Sequence, residues 1–595
     1  MRQASDGRAR QSLAKGLRLL GLTRGWVIYW ALLVSLASAL IVGRLLDIPN
    51  SLRGVALHVL LLAWLVLLQA QFWAWLPGHA RWRHLSTATV AGLFLFALIA
   101  LHFANFASFE FLHTGPSLSL VPAYLAHMHH VSAAAGVSFP LVALFTGLLL
   151  IAAVALCLWL FGPDEARPPR SIPALVLIAL GLLVHSAQLP YFKKHEFLHR
   201  LAYGFPTEIA PRSLMDLSKP HPRPRYADAK QTISPRPLVL ITIDSLRPDA
   251  TQLYGNPTLN TPFLAKLHRQ GKLRVYDNAH SICAVSYCGL LGIIASRSWE
   301  GLQYPPDNIA DALADNGYKS HFILSGAHDS YFGLGRKYGP NVAFRREGTD
   351  AAGEYPNDDR LIDRWIAELP QPSGSRNFYW FHLMDVHNLG LRSEPDVATI
   401  RDPVLLARMR EQGSALKRYA QRYHDGIVTS DRTVARIFDW LDDTGQIDDA
   451  LVIITADHGE YLGEGGRTAH GGVPWGVLSH VPLAIYDARG ADWPARDPVS
   501  TLDIAPTFLK AIGARIPLDF EGVALQETTS RCAVPAGSQQ TRSLIGARGK
   551  PRYWRDVDGG EYLERPDSIG PLSHPVRTGR DRKIAMQLQS CNRRK

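Results

Sequence analysis

The chain has 595 residues, of which 47% are apolar and only 19% charged, and carries a formal net charge of +11. Such a length exceeds one domain and supplies a large core. The apolar excess lies in the first 192 residues, which excludes a uniformly soluble layout.

A basic tail, residues 1–25, holds Arg2, Arg8, Arg10, Lys15, Arg18 and Arg24. Five apolar stretches follow within residues 26–191, near Trp26–Val42, Ala56–Leu76, Thr87–Phe106, Val137–Phe161 and Ile172–Leu189. Each approaches the ~20 residues that a helix needs to cross a bilayer. The first is not a cleavable signal, because four more stretches follow and no small-residue cleavage pattern is present. Arg81 and Arg83 lie after the second stretch and Arg167 and Arg170 after the fourth, while Glu110 to Ala135 has no Lys or Arg. Short-loop charge therefore predicts a cytoplasmic amino terminus, a multi-pass inner (plasma) membrane protein and a carboxyl-terminal portion on the periplasmic or extracellular side. Nucleic acid is not expected as a partner there; anionic lipid headgroups are the natural counterpart of the basic residues.

Residues 192–235 read as a linker, amphipathic at first and ending in Lys219-Pro-His-Pro-Arg-Pro-Arg. From 236 to 526 short apolar runs alternate with helical periodicity. Strands are expected at Leu238–Ile243, Ser320–Leu324, Phe378–Leu383, Leu451–Thr455 and Val481–Ile485, and helices at Ile309–Asn316 and Arg422–Asp442. The alternation predicts an α/β fold with a doubly wound, mostly parallel sheet. Residues 527–595 are weakly patterned and read as a basic, loosely organised extension. Cys532 and Cys591 make a plausible disulfide in an oxidising compartment, although sequence does not fix the pairing.

Three strand ends carry chemistry. Strand one ends at Asp244, and strand 451–455 runs into Asp457-His458-Gly459-Glu460, with His470 returning on a glycine-rich loop. Ligands gather beyond the carboxyl ends of such strands, and Asp with His suits a divalent cation. The strand near 378–383 leads to His382, Asp385 and His387; His387 is placed to stabilise an anion, His382 reads as structural, and Asp385 is open. The turn Ser281-Ile-Cys283-Ala-Val-Ser286-Tyr-Cys288-Gly289 precedes an apolar helix, whose amino end activates a nucleophile and favours an anion.

From Pro237 to about Gly522 the chain resembles the alkaline phosphatase superfamily, sulfatase-like branch. The carriers are Asp244-Ser245 with Arg247-Pro-Asp249, Tyr254-Gly255, Asn260-Thr-Pro262, Asn278-Ala279, Gly317-Tyr318, Asp457-His458-Gly459-Glu460, Val481-Pro482 and Asp503-Ile-Ala-Pro506-Thr507. Five spans ahead of such a domain resemble the phosphoethanolamine transferases and lipoteichoic acid synthases, and Asp457 to Pro474 is similar to the former. The resemblance implies metal ligands Asp244, Asp457 and His458 with Cys283 as fourth ligand and nucleophile, and zinc or manganese as the ion. It gives His387 and His470 the phosphate-holding and leaving-group roles, and puts His328 where sulfatases bind substrate. The transferases have threonine at Cys283. Sulfatases require Cys-x-Pro-x-Arg, which is absent here. A Cys283–Cys288 disulfide is the alternative, leaving Ser281 or Ser286 as nucleophile.

The expected function is a metal-dependent transferase that takes headgroup phosphate from a membrane phospholipid and passes it to an envelope glycan or lipid. A membrane-anchored sulfatase or phosphodiesterase with a modified Cys283, and an inactive scaffolding relative, are the alternatives.

Overall fold

A computed structural model of the full chain describes residues 19–20, 22–42, 51–76, 80–112, 139–162, 168–189, 232–302, 307–326, 328–329, 333–348, 358–372, 374–387, 398–471, 473–528, 531–538, 541–556, 559–564 and 573–592. Most of the 192–235 linker, and the loop between the third and fourth apolar stretches, lie outside these residues. The chain divides into two compact units, residues 1–110 with 115–205, and residues 111–114 with 206–595.

The first unit is helical: α1 (Arg24–Val42), α2 (Ser51–Trp75), α3 (Ala80–Leu112), α4 (Phe139–Leu160) and α5 (Ile172–Ala187). Among the described residues three segments are long and apolar enough to cross a membrane: Ala56–Trp75, His84–Phe103 and Pro140–Leu160. The remaining two helices are apolar, and α5 is shorter, at 16 residues. Leu144, Phe145, Ile151, Trp159 and Leu183 are exposed, an apolar surface that suits hydrocarbon. Small residues set the close contacts between helices. A Cβ on Gly92 would stand 2.6 Å from the Val154 Cα, so α3 and α4 meet there backbone to backbone.

The second unit holds the predicted sheet. Its seven strands are β1 (Leu238–Ile243), β2 (Leu273–Val275), β3 (Lys319–Ser325), β4 (Phe344–Gly348), β5 (Asn377–Leu383), β6 (Leu451–Thr455) and β7 (Leu483–Asp487), in the order β2-β7-β6-β1-β5-β3-β4. Strands β6, β1, β5, β3 and β4 run parallel, and β7 is antiparallel to both β6 and β2. Every residue of β1, β5 and β6 is buried, as the continuous apolar runs require for strands covered on both faces. The long helix α8 (Ser414–Asp443) covers the sheet with Tyr423, Ile427, Val434, Ile437 and Leu441 in the core. Two further helices bear on the site, α6 (Ser286–Ala295) and α7 (Asp358–Ala367).

The segment beyond Gln526, expected to be loosely organised, forms a five-stranded antiparallel sheet: β8 (Ala533–Gly537), β9 (Thr541–Gly546), β10 (Arg552–Asp556), β11 (Glu561–Glu564) and β12 (Ser573–Pro575), followed by α9 (Gly579–Asn592). Its strands are short and interleaved with arginines, which dilutes the alternation that marks a half-buried strand. Cys532 is disulfide-bonded; the side chain of Cys591, its expected partner, lies outside the described set.

Candidate active site

Register brings the site together. Thr242 of β1 is paired with His382 of β5 and with Thr455 of β6, so the carboxyl ends of three neighbouring strands open onto one spot. There Asp244, Asp457 and His458 are all buried, and one ligand atom from each lies within 4.8 Å of the others.

Helix α6 adds a hydroxyl. The Ser286 Oγ is 2.9 Å from Asp244 Oδ2 and 3.1 Å from His458 Nε2. Ser286 is the first residue of α6, where free amides and the helix dipole favour negative charge on the hydroxyl and on an anion bound beside it. The helix comes this close because residue 289 lacks a side chain: a Cβ there would stand 2.4 Å from the Asp457 carbonyl oxygen. Gly459 is a second close approach, its Cβ position being 2.0 Å from the Val477 carbonyl oxygen.

This corrects the assignment of Cys283. Cys283 and Cys288 form a disulfide across the turn, so Cys283 is neither a thiolate nucleophile nor a metal ligand. Ser281, the other alternative, donates to the Asp457 backbone carbonyl and supports the turn from behind. Spacing alone could not choose between residues 281, 283 and 286, because the choice depends on which one begins the helix.

The set fits a divalent cation. His458 Nδ1 lies 2.9 Å from the Gly459 carbonyl oxygen, which can only accept, so its proton is fixed there and the Nε2 lone pair faces the carboxylates. Asp457 Oδ1 accepts from the amides of Ser245 and His458, while Oδ2 is buried with no hydrogen-bond partner. Burial raises the Asp457 carboxyl, and the charge of Asp244 raises it further. Burial also pushes Asp244 upward, but the imidazoles of His387, His382 and His458 outweigh it and hold that carboxyl well below the usual range. Two adjacent buried carboxylates and an aimed imidazole lone pair form a site that a cation completes.

A second layer of histidines surrounds it. The His470 ring lies 4.1 Å from that of His458 and 5.0 Å from that of His387, centroid to centroid. His470 Nδ1 is 3.1 Å from Glu460 Oε2; burial pulls the imidazole down, yet the Glu460 carboxylate lifts it to about 9. His387, by contrast, is pushed down to about 4 by burial. The loop that carries His470 is anchored by a buried cation: Arg247 donates to the Glu460 carbonyl at 2.9 Å and to Glu464 Oε1 at 2.8 Å. Ser245 and Ala469, beside Asp244 and His470, both have positive φ without being glycine, a cost held at the site by these surroundings.

His382 belongs to the site more closely than its sequence reading as a structural residue implies. Trp380 Nε1 donates to Thr242 Oγ1 at 2.9 Å, that hydroxyl lies 2.9 Å from His382 Nδ1, and His382 Nε2 reaches Asp244 Oδ2 at 3.5 Å. The residue therefore orients Asp244, a candidate ligand, which only the cross-strand register reveals. Asp385 accepts the Asp358 amide at 3.1 Å and caps α7. His328, expected to contact substrate, instead places Nδ1 2.6 Å from the Tyr338 hydroxyl and Nε2 3.1 Å from the Ser325 carbonyl oxygen. It packs edge-on against His382, behind the ligands, because β3 is two strands removed from β1.

Residues 236–514 match the sulfatase family model, and the chain thus carries a sulfatase domain. It is 34% identical over 137 residues to the multifunctional alkaline phosphatase superfamily protein PehA of Trinickia caryophylli, covering 22% of this chain and 23% of that protein. The chain spans about a quarter of the length of that curated relative. Among solved structures it is similar to the phosphonate monoester hydrolase of Agrobacterium radiobacter (TM-score 0.47, 15% identity, 60% of this chain and 96% of that one). It is also similar to the periplasmic domain of EcEptC from Escherichia coli in complex with Zn (TM-score 0.44, 15% identity, 58% and 95%).

Proposed function

We propose that the protein is a metal-dependent membrane phosphotransferase that moves a phospholipid headgroup phosphate through a Ser286 ester to an envelope glycan or lipid. The observation that carries this reading is the Ser286 hydroxyl at the amino end of α6, against Asp244 and His458, in a chain that also has apolar helices long enough to cross a bilayer. Asp244, Asp457, His458 and Ser286 would hold the ion, zinc or manganese by donor chemistry. When bound, it lowers the pKa of the nucleophile's hydroxyl and neutralises charge on the phosphoryl oxygens.

In the first half-reaction the Ser286 oxygen, its proton already lost to solvent, bonds to phosphorus as the bond to the diacylglycerol oxygen breaks. His470, protonated beside Glu460, gives its proton to that leaving alkoxide, and His387 stands where it can hold a phosphoryl oxygen. In the second, an acceptor hydroxyl returns a proton to His470, attacks phosphorus and releases Ser286. Membrane attachment confines the site to the plane of its donor, which raises the effective concentration of headgroups. The proposed topology puts the amino terminus in the cytoplasm and the sulfatase domain outside the inner membrane.

The test is incubation of the purified full chain with headgroup-labelled phospholipid, followed by peptide mass spectrometry. A phospho-adduct on Ser286 and release of diacylglycerol support the reading; release of free headgroup phosphate to water, with no transfer to any hydroxyl acceptor, overturns it. That second outcome is the hydrolase reading, favoured by the sulfatase family match. Its earlier form, with a modified Cys283, is excluded by the disulfide.

A further inference from the structure

A second pair of histidines lies in the helical unit, away from the Asp244 centre in sequence and in chemistry. His58 is near the start of the span Ala56–Trp75 and His102 near the end of the span His84–Phe103, so the two stand at matching ends of consecutive helices. Both are buried, at 1% and 2% exposure, in a unit whose core is mostly apolar. Their Nε2 atoms lie 3.2 Å apart. His102 Nδ1 is 2.8 Å from the Leu98 carbonyl oxygen.

That carbonyl fixes a tautomer. It can only accept, so His102 Nδ1 carries the ring proton and the Nε2 lone pair points at His58. Holding the far nitrogen on a backbone carbonyl is the arrangement that prepares a histidine to bind metal through Nε2. The spacing agrees with this. Two imidazole nitrogens on a tetrahedral zinc, each about 2.0–2.1 Å from it, stand roughly 3.3–3.4 Å apart. Polar residues within membrane spans mark functional positions.

We propose that His58 and His102 form a second metal site, taking a borderline transition ion such as zinc or copper through their two Nε2 atoms. Hard cations such as magnesium and calcium prefer oxygen and are not expected there. Binding needs no net proton release: the His58 proton, held on Nε2 while that atom donates to His102, moves to Nδ1 as the metal takes both lone pairs. The remaining coordination positions fall to water or to an oxygen ligand such as a lipid phosphate.

The experiment uses the tag-free full chain in detergent, stripped with chelator. It carries Asp457→Asn and His458→Ala so that the sulfatase-domain centre is vacated. After equilibration with zinc and desalting, metal is counted by mass spectrometry. The expected result is close to one zinc per chain, at least tenfold weaker binding after His102→Phe, and retention after His102→Cys, which leaves a ligand in place. Copper supplies a direct reading on unaltered helices, since the vacated chain should give an electron paramagnetic resonance spectrum with coupling to two nitrogens. No retained zinc in the vacated chain, zinc unchanged by His102→Phe, or a copper spectrum without nitrogen coupling overturns the proposal. In each of those cases the pair is a hydrogen bond between helices and nothing more.

Discussion

The Ser286 hydroxyl lies 2.9 Å from Asp244 Oδ2, although the two residues are 42 positions apart in the chain. In the proposed function that contact makes a serine, rather than either neighbouring cysteine, the nucleophile. Ser286→Ala should lower turnover by at least about a thousandfold, the scale expected when a covalent nucleophile is removed. Cys283→Ala should leave a phospho-adduct still detectable on residue 286. An adduct found elsewhere on the chain would refute the assignment.

Glu460 keeps His470 protonated up to about pH 9. Glu460→Gln removes the charge that outweighs burial, so the imidazole falls toward its ordinary value or below. The alkaline limb of the rate profile should then move down by two units or so, with kcat reduced roughly tenfold to a hundredfold at neutral pH. An unmoved limb would mean that His470 is not the proton donor.

Gly289 is a packing requirement, not a flexible joint. Adding one methyl there drives a carbon to within 2.4 Å of the Asp457 carbonyl oxygen. Gly289→Ala should displace α6 from the carboxylates and weaken metal binding at least tenfold while the protein still folds, as measured by zinc titration alongside circular dichroism. Undiminished zinc affinity would show that α6 contributes no ligand.

Asp431 supports the helix Pro262–Arg269, accepting from the amides of Phe263 at 2.8 Å and Leu264 at 3.1 Å. Burial nevertheless raises its carboxyl from 3.8 to about 6. The folded state therefore holds this proton more tightly than the unfolded chain does. Its contribution to stability is greatest below pH 4 and is lost as pH rises through 6, a swing of about 3 kcal/mol. Asp431→Asn should flatten that part of the melting-temperature profile of the full chain; an identical slope in the variant would contradict the argument.

Much of this was legible in sequence because buried parallel strands are written as unbroken apolar runs. Leu238–Ile243 and Leu451–Thr455 were delimited to the residue, and Asp244, Asp457 and His458 follow directly from where those strands stop. What escaped depends on relations across the sheet. His382 matters because Thr242 lies beside it in register, and Ser286 because α6 begins there, and neither relation has a local signature. The edge strands β2 and β4 were missed for another reason. At three and five residues, with arginines in each, they lack the apolar continuity of the central strands.

The bond between Cys283 and Cys288 encloses Ser286, the proposed nucleophile. Such bonds form and persist chiefly where the surroundings are oxidising, so a chain newly made in a reducing cytoplasm would hold an untied turn around Ser286. In the proposed topology, competence would arrive with export, and the lipids on the side of synthesis would be spared.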